Sequence, residues 1–156
     1  MYGVNCGVPK TLIRVMVGYI ADIMPEIGDI LRDIVNTPIS PELLPADTDG
    51  TTGQKTEEFV GPYELHDFFL YYMLRFGFPP KKIAYLAECA FEGKYNKDEI
   101  KKWLTVFYKR FFSQQYKRSC SPDGPKVGTV GLSPRGGLQM PSDMCADVWL
   151  KEIEEI

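Results

Sequence analysis

The 156 residues contain one histidine, His66, and that scarcity excludes more than any residue present. A zinc centre needs clustered Cys and His ligands. The four cysteines (Cys6, Cys89, Cys120, Cys145) stand far apart with no C-x-x-C pair, so no metal site is expected. A nucleophilic cysteine usually borrows a histidine base, which argues against that chemistry too. No apolar run approaches the roughly 18 residues of a membrane-crossing helix; the densest, Phe68 to Leu74, ends at Arg75. The opening Met1-Tyr2-Gly3-Val4-Asn5 lacks a basic-then-apolar leader. A cytoplasmic protein with reduced thiols is the expectation. Alternating β-branched runs are missing as well, and Lys126–Val130 is the one candidate strand.

What is present suits a packed core. Hydrophobic residues make up 44% and aromatics 13%, too apolar for a disordered chain, and the length allows one domain. Three- and four-residue spacing predicts a helix over Pro9–Met24, with Leu12, Val15/Met16, Tyr19/Ile20 and Ile23 on one face. A second helix, Pro25–Asn36, is opened by a proline acceptable at a first helical position and stopped by Pro38. Further helices are expected over Pro62–Phe76, ending at Gly77, and over Pro80–Phe91. A long one starts at Asn96, where Asn96 and Glu99 spell a capping box, and runs to about Arg118. A last helix, Asp143–Ile156, has Ser142 as its expected cap. Two glycine- and proline-rich stretches, 39–62 and 119–142, read as loops, and loops of that length are usually functional or mobile. The fold class is therefore mainly α.

Charge is divided unevenly. Between Lys94 and Arg135 there are ten Lys/Arg against three Asp/Glu, although the whole chain carries −3. Such a basic block suits an anionic ligand or partner. Lys94, Lys97, Lys101 and Lys102 equally suit a solvated helix face, whereas Lys117, Arg118, Lys126 and Arg135 fall outside the amphipathic repeat. Lys10 stands at a helix start, where free N–H groups favour phosphate. Ser40, Gln54 and Glu57 sit in the first loop. Neither loop has the G-x-x-x-x-G-K-[S/T] form, and Gly136-Gly137 does not lie between a strand and a helix, so neither a Walker loop nor a dinucleotide fingerprint is present.

Several blocks together closely resemble the C-terminal part of glutamine-dependent NAD synthetases. They are Met1–Asn5 with Val8-Pro9-Lys10-Thr11-Leu12; Thr37-Pro38-Ile39-Ser40-Pro41-Glu42-Leu43-Leu44-Pro45; Gln54-Lys55-Thr56-Glu57; and Gly61–Phe68. Phe111–Arg118, Pro122–Gly128 and Leu132–Gly136 extend the likeness over nearly the whole chain. The resemblance implies a ligase that uses ATP, as its Mg2+ complex, to adenylate the nicotinate carboxylate of deamido-NAD. Ammonia then displaces AMP to give NAD. It further implies an α/β, Rossmann-like ATP-pyrophosphatase domain, of which this chain is the helical C-terminal portion, and a homo-oligomer. Ammonia would come from glutamine through an N-terminal amidase domain.

Residue by residue, the resemblance matches Lys10 and Ser40 to ATP contacts and Lys117 to a deamido-NAD contact. Tyr116 stands where ammonia-dependent relatives have histidine, and Gly3 where they have a substrate-contacting aspartate. Gln54, Glu57, Arg118, Lys126 and Arg135 are further candidates. The Ser-Gly-Gly-x-Asp-Ser pyrophosphate loop, the metal-binding glutamate segment and the amidase domain have no counterpart in these residues. A fragment inactive by itself, and poor at holding ATP, is expected, with loops 39–62 and 119–142 closing over nucleotide and the Lys10 and Lys117 amines converging on one pocket. Exposed apolar stripes are expected to drive self-association. The competing readings are another amide synthetase of the same type, or a helical interaction module that binds nucleic acid through 94–135, although no nucleic-acid or membrane partner is expected.

Overall fold

The computed structural model describes residues 2–37 and 59–156. Seven helices are delimited among the described residues: α1 (Lys10–Ile23), α2 (Pro25–Asn36), α3 (Tyr63–Phe76), α4 (Pro80–Ala90), α5 (Lys97–Ser113), α6 (Gln115–Ser119) and α7 (Asp147–Glu154). The described chain is thus mainly α-helical. Among the described residues there is no strand: 126–130 is irregular, and a single parallel bridge joins Tyr2 to Asp123. The described residues within Met1–Val8 and Glu64–Ile156 form one compact unit, and those within Pro9–Tyr63 form another.

The smaller unit contains the hairpin of α1 and α2. The helices meet where their side chains are smallest. Ala21 and Gly28 are the buried residues of their helices, and a Cβ on Gly28 would stand 2.7 Å from the Ala21 carbonyl oxygen. An Arg32–Asp22 ion pair at 2.8 Å links the pair on its outer side. The apolar faces read from the sequence are largely exposed: Val15 at 69%, Tyr19 at 65%, Ile30 at 62% and Ile34 at 60%. That is far more bare aliphatic and aromatic surface than a helical hairpin needs, and exposed apolar patches of this kind mark interaction sites.

In the larger unit, α3, α4, α5 and α7 enclose one core. Leu65 and Phe69 of α3, Ile83, Ala84 and Ala87 of α4, Ile100, Leu104 and Phe107 of α5, and Ile153 of α7 are all buried. Fully burying one such large side chain contributes about 1.5–3 kcal/mol, so this cluster orders everything attached to it. The capping box at Asn96 is present. Its Oδ1 accepts from the Glu99 N–H at 2.9 Å, and Glu99 Oε2 accepts from the Asn96 N–H at 2.9 Å. Helix α3 stops at Gly77, whose N–H donates to Met73 O at 3.0 Å. In its first turn, Glu64 meets the Lys94 ammonium at 2.5 Å and also accepts from the Tyr95 hydroxyl. Partial burial pushes this carboxyl up, but the two partners outweigh it and hold it below the ordinary carboxylate range.

The closing helix departs from expectation. It begins at Asp147, after Ala146, with no side-chain cap; Cys145 Sγ accepts from the Asp147 N–H at 3.4 Å. Ser142 lies instead 3.3 Å from Ser119, hydroxyl to hydroxyl. Apolar Val148 is 76% exposed, because α7 is oriented by Trp149, which stacks on Phe112 with centroids 4.6 Å apart. Polar ties fasten α7 at both sides. The Lys81 N–H at the start of α4 donates to Glu152 at 3.0 Å, and Lys101 Nζ donates to Glu154 O at 3.0 Å.

Tyr108 is fully buried beside Trp149, yet its hydroxyl has no hydrogen-bond partner among the described residues. Burial, and then the nearby Glu152 carboxylate, push its ionisation far above the usual phenol value. An unsatisfied buried hydroxyl costs about 1–3 kcal/mol. Tyr108→Phe is therefore expected to leave thermal stability unchanged or raise it. A fall in melting temperature would show that the hydroxyl is satisfied.

Candidate functional site

The aromatic stripe of α5 continues in register past its end, through Leu104, Tyr108 and Phe111 to Gln115, which is 1% exposed. The continuous helix expected to Arg118 is nevertheless broken at Gln114, and α6 is a separate turn. A helix end leaves carbonyls without intrahelical partners, and here a side chain further along the chain supplies one. The Arg118 guanidinium reaches back to donate to Phe111 O, lies 4.1 Å over the Phe111 ring, and donates through Nε to Gln115 Oε1 at 2.7 Å. Gln115 Nε2 then donates to Met140 O at 2.9 Å. Both ends of the buried amide are engaged, and only one amide orientation fits, because a flip would set N–H against N–H and oxygen against oxygen. Burial lowers the Arg118 pKa from its ordinary value without threatening its charge.

Lys117 sits on this same turn and is exposed. Its N–H donates to Gln114 O at 3.1 Å, its carbonyl accepts from Ser121 Oγ at 3.0 Å, and its ammonium stands 6.0 Å from the Tyr116 ring centroid. The backbone is held at both sides, and the amine is turned to solvent.

A cleft of about 340 Å³ opens between the N-terminal segment and the second loop, lined in part by Tyr2, Cys6, Asp123, Lys126, Leu132 and Arg135. Asp123 organises it. Its carbonyl accepts from the Gly3 N–H at 2.7 Å, and its carboxylate accepts from Arg135 Nε. Arg135 also donates to Ser121 O. Lys126 lines the cleft as an exposed residue. The loop 119–142 is thus tied to α6 at Met140, to the N-terminal segment at Asp123, and to itself through Arg135.

Lys10, the first residue of α1, follows Pro9 with no side-chain cap and no acidic residue in the first turn. Its ammonium donates to the Tyr63 hydroxyl at 3.0 Å and lies 4.4 Å from that ring's centroid. Lys10 belongs to the smaller unit, while Lys117, Arg118, Lys126 and Arg135 belong to the larger. Ser40, Gln54 and Glu57 lie outside the described residues, as does most of the loop 39–62. Among the described residues, no group of three or more His, Cys, Asp or Glu could hold a metal, and no helix is long and apolar enough to cross a membrane. Gln115 and Asp123 fall within the sequence blocks Phe111–Arg118 and Pro122–Gly128, but sequence reasoning gave neither a role. A glutamine on an otherwise apolar stripe was the available signal for the first.

Compared with known proteins, this chain is a helical relative of much longer ones: it spans about a quarter of the length of the curated relatives it matches. Those relatives are glutamine-dependent NAD(+) synthetases, and the chain is homologous to them over nearly its whole length, as the resemblance implied. The Mycobacterium leprae protein is 41% identical over 174 residues, covering 98% of this chain and 25% of the relative. Those of Mycobacterium bovis and Mycobacterium tuberculosis (strain H37Rv) are 40% identical over the same shares. No family model matches the chain.

At Gly124 the second loop passes close to the N-terminal segment. A methyl there would overlap Cys6 Sγ and stand 2.5 Å from the Gly3 carbonyl oxygen. The thiol can rotate away, but the backbone cannot. In Gly124→Ala, the Gly3 amide is expected to lose its protection from hydrogen exchange as the N-terminal segment detaches. Unchanged protection would show that the close approach is not needed.

Proposed function

We propose that this chain is the helical C-terminal portion of a glutamine-dependent NAD synthetase and that it supplies substrate contacts rather than the whole reaction. The observation that carries this is identity near 40% to such synthetases along 98% of the chain. In the proposed reaction, a carboxylate oxygen of deamido-NAD attacks the α-phosphorus of ATP, and pyrophosphate leaves. Ammonia, released from glutamine in an amidase domain elsewhere, then adds to the acyl carbon. The acyl–oxygen bond to AMP breaks, a proton is lost, and the amide of NAD remains.

Negative charge accumulates on the phosphoryl group during the first step, and positioned cations are the standard way to hold it. Lys10, with Ser40, is assigned to ATP, and Lys117 to deamido-NAD. An exposed ammonium on a fixed backbone suits that role. Gln54, Glu57, Lys126 and Arg135 are assigned to the surroundings of the same substrates. The magnesium of the ATP complex has no assigned ligand in this chain. The surrounding domain would be the α/β ATP-pyrophosphatase fold, and the bare faces of α1 and α2 would be covered by that domain or by a second copy in a homo-oligomer.

The nucleic-acid reading of 94–135 fits less well, because much of the block is spent internally. Lys94 pairs with Glu64, Arg135 with Asp123, Lys101 bonds a backbone carbonyl, and Arg118 lies against Phe111.

The reading is tested by a chimera in which this chain replaces the corresponding quarter of the M. tuberculosis relative. It is expected to form NAD from deamido-NAD, ATP and ammonia, and the isolated chain is expected to form none. Lys117→Ala in the chimera should raise KM for deamido-NAD by about tenfold or more while ATP use changes less. A folded chimera that makes no NAD, or equal damage to both substrates, would contradict the assignment.

A further inference from the structure

We infer that Gln115, acting with Arg118, is a positioning residue for Lys117 that makes the order of the 119–142 loop a condition for holding deamido-NAD. The inference rests on the proposed reading of Lys117 and goes beyond it. Three observations meet at one amide. The helix break at Gln114 creates a free turn, α6, that carries Lys117. The turn is not held by its own length, since five residues make a marginal helix. It is held because Gln115 and Arg118, on either side of Lys117, are bonded to each other and to fixed groups. Gln115 is bonded to Met140 O in the loop and Arg118 to Phe111 O in α5.

The choice of residues is informative. An apolar side chain at 115 would continue the α5 stripe with no desolvation penalty, whereas a buried amide is tolerated only when both its ends are bonded. Here one end reads the loop and the other reads the turn. If Met140 moves away, the Gln115 N–H loses its acceptor, and the amide that orients Arg118 is released. The lysine between them is then no longer aimed. A displacement of about 1 Å at a substrate-orienting group is enough to cost rate or affinity substantially.

The test uses the same full-length chimera with Gln115→Leu, which removes both bonds at similar volume, and Arg118→Met as a second variant should the first not fold. KM for deamido-NAD is expected to rise by about tenfold with KM for ATP within about twofold, a split that a general loss of structure would not produce. In a Lys117→Ala background, Gln115→Leu should add nothing further, since residues acting through one another are not additive. A wild-type KM in Gln115→Leu, equal effects on both substrates, or full additivity with Lys117→Ala would overturn the inference alone. If Lys117→Ala itself leaves the KM for deamido-NAD unchanged, the reading of Lys117 fails, and this inference fails with it.

Discussion

A single buried amide, that of Gln115, links three parts of the larger unit. It meets the last carbonyl-bearing turn of α5 through Arg118, the short helix α6 by belonging to it, and the far end of the second loop through Met140. Hydrogen bonds of this kind contribute only about 1 kcal/mol each to net stability. Leaving one unmade in a buried setting costs more, so the arrangement behaves as a unit and specifies geometry more than it adds stability. The loop 119–142 has almost no regular structure and no aromatic anchor. Its position depends on Leu132, Leu138 and Met140, which pack against the core, on this bond, on the Asp123 contacts with Gly3 and Arg135, and on the hydroxyl contact of Ser119 with Ser142.

Behind that amide stands the aromatic and aliphatic core of α3, α4, α5 and α7, which gives the network a rigid wall. Phe111 serves twice: its side chain is part of the core, and its carbonyl and ring receive the Arg118 guanidinium. The smaller unit has the opposite character. Its two helices touch closely at Ala21 and Gly28 and leave most of their large apolar side chains exposed. The chain matches one quarter of much longer synthetases, and exposed apolar patches of this extent mark interaction sites.

The helices were legible because hydrophobic period, proline and glycine punctuation, and the Asn96–Glu99 pair all pointed the same way. The core positions Leu65, Phe69, Ile83, Ala87, Ile100, Leu104, Phe107 and Phe111 follow directly from that period. Two departures have physical causes. Between Asn96 and Arg118 no glycine or proline marks the break, because the break is stabilised by tertiary bonds to Arg118 and Met140 that local propensity does not encode. The final helix starts late because Ser142 is drawn to Ser119, five residues before the helix, and only the Cys145 thiol accepts from the Asp147 N–H. The substrate roles of Lys10, Ser40 and Lys117 came from resemblance, since position alone leaves a lysine at a helix end equally suited to solvent. Gln115 was legible only as a polar residue out of place on an apolar stripe.

The most direct measurement is of the Gln115 side-chain amide itself, through its NH2 resonances in the 156-residue chain. The account predicts resonances shifted from free glutamine that exchange slowly with solvent and lose protection when Arg118 is replaced. Exchange as fast as that of the exposed Gln139 would contradict the account, because an amide open to water cannot tie the turn of Lys117 to the loop.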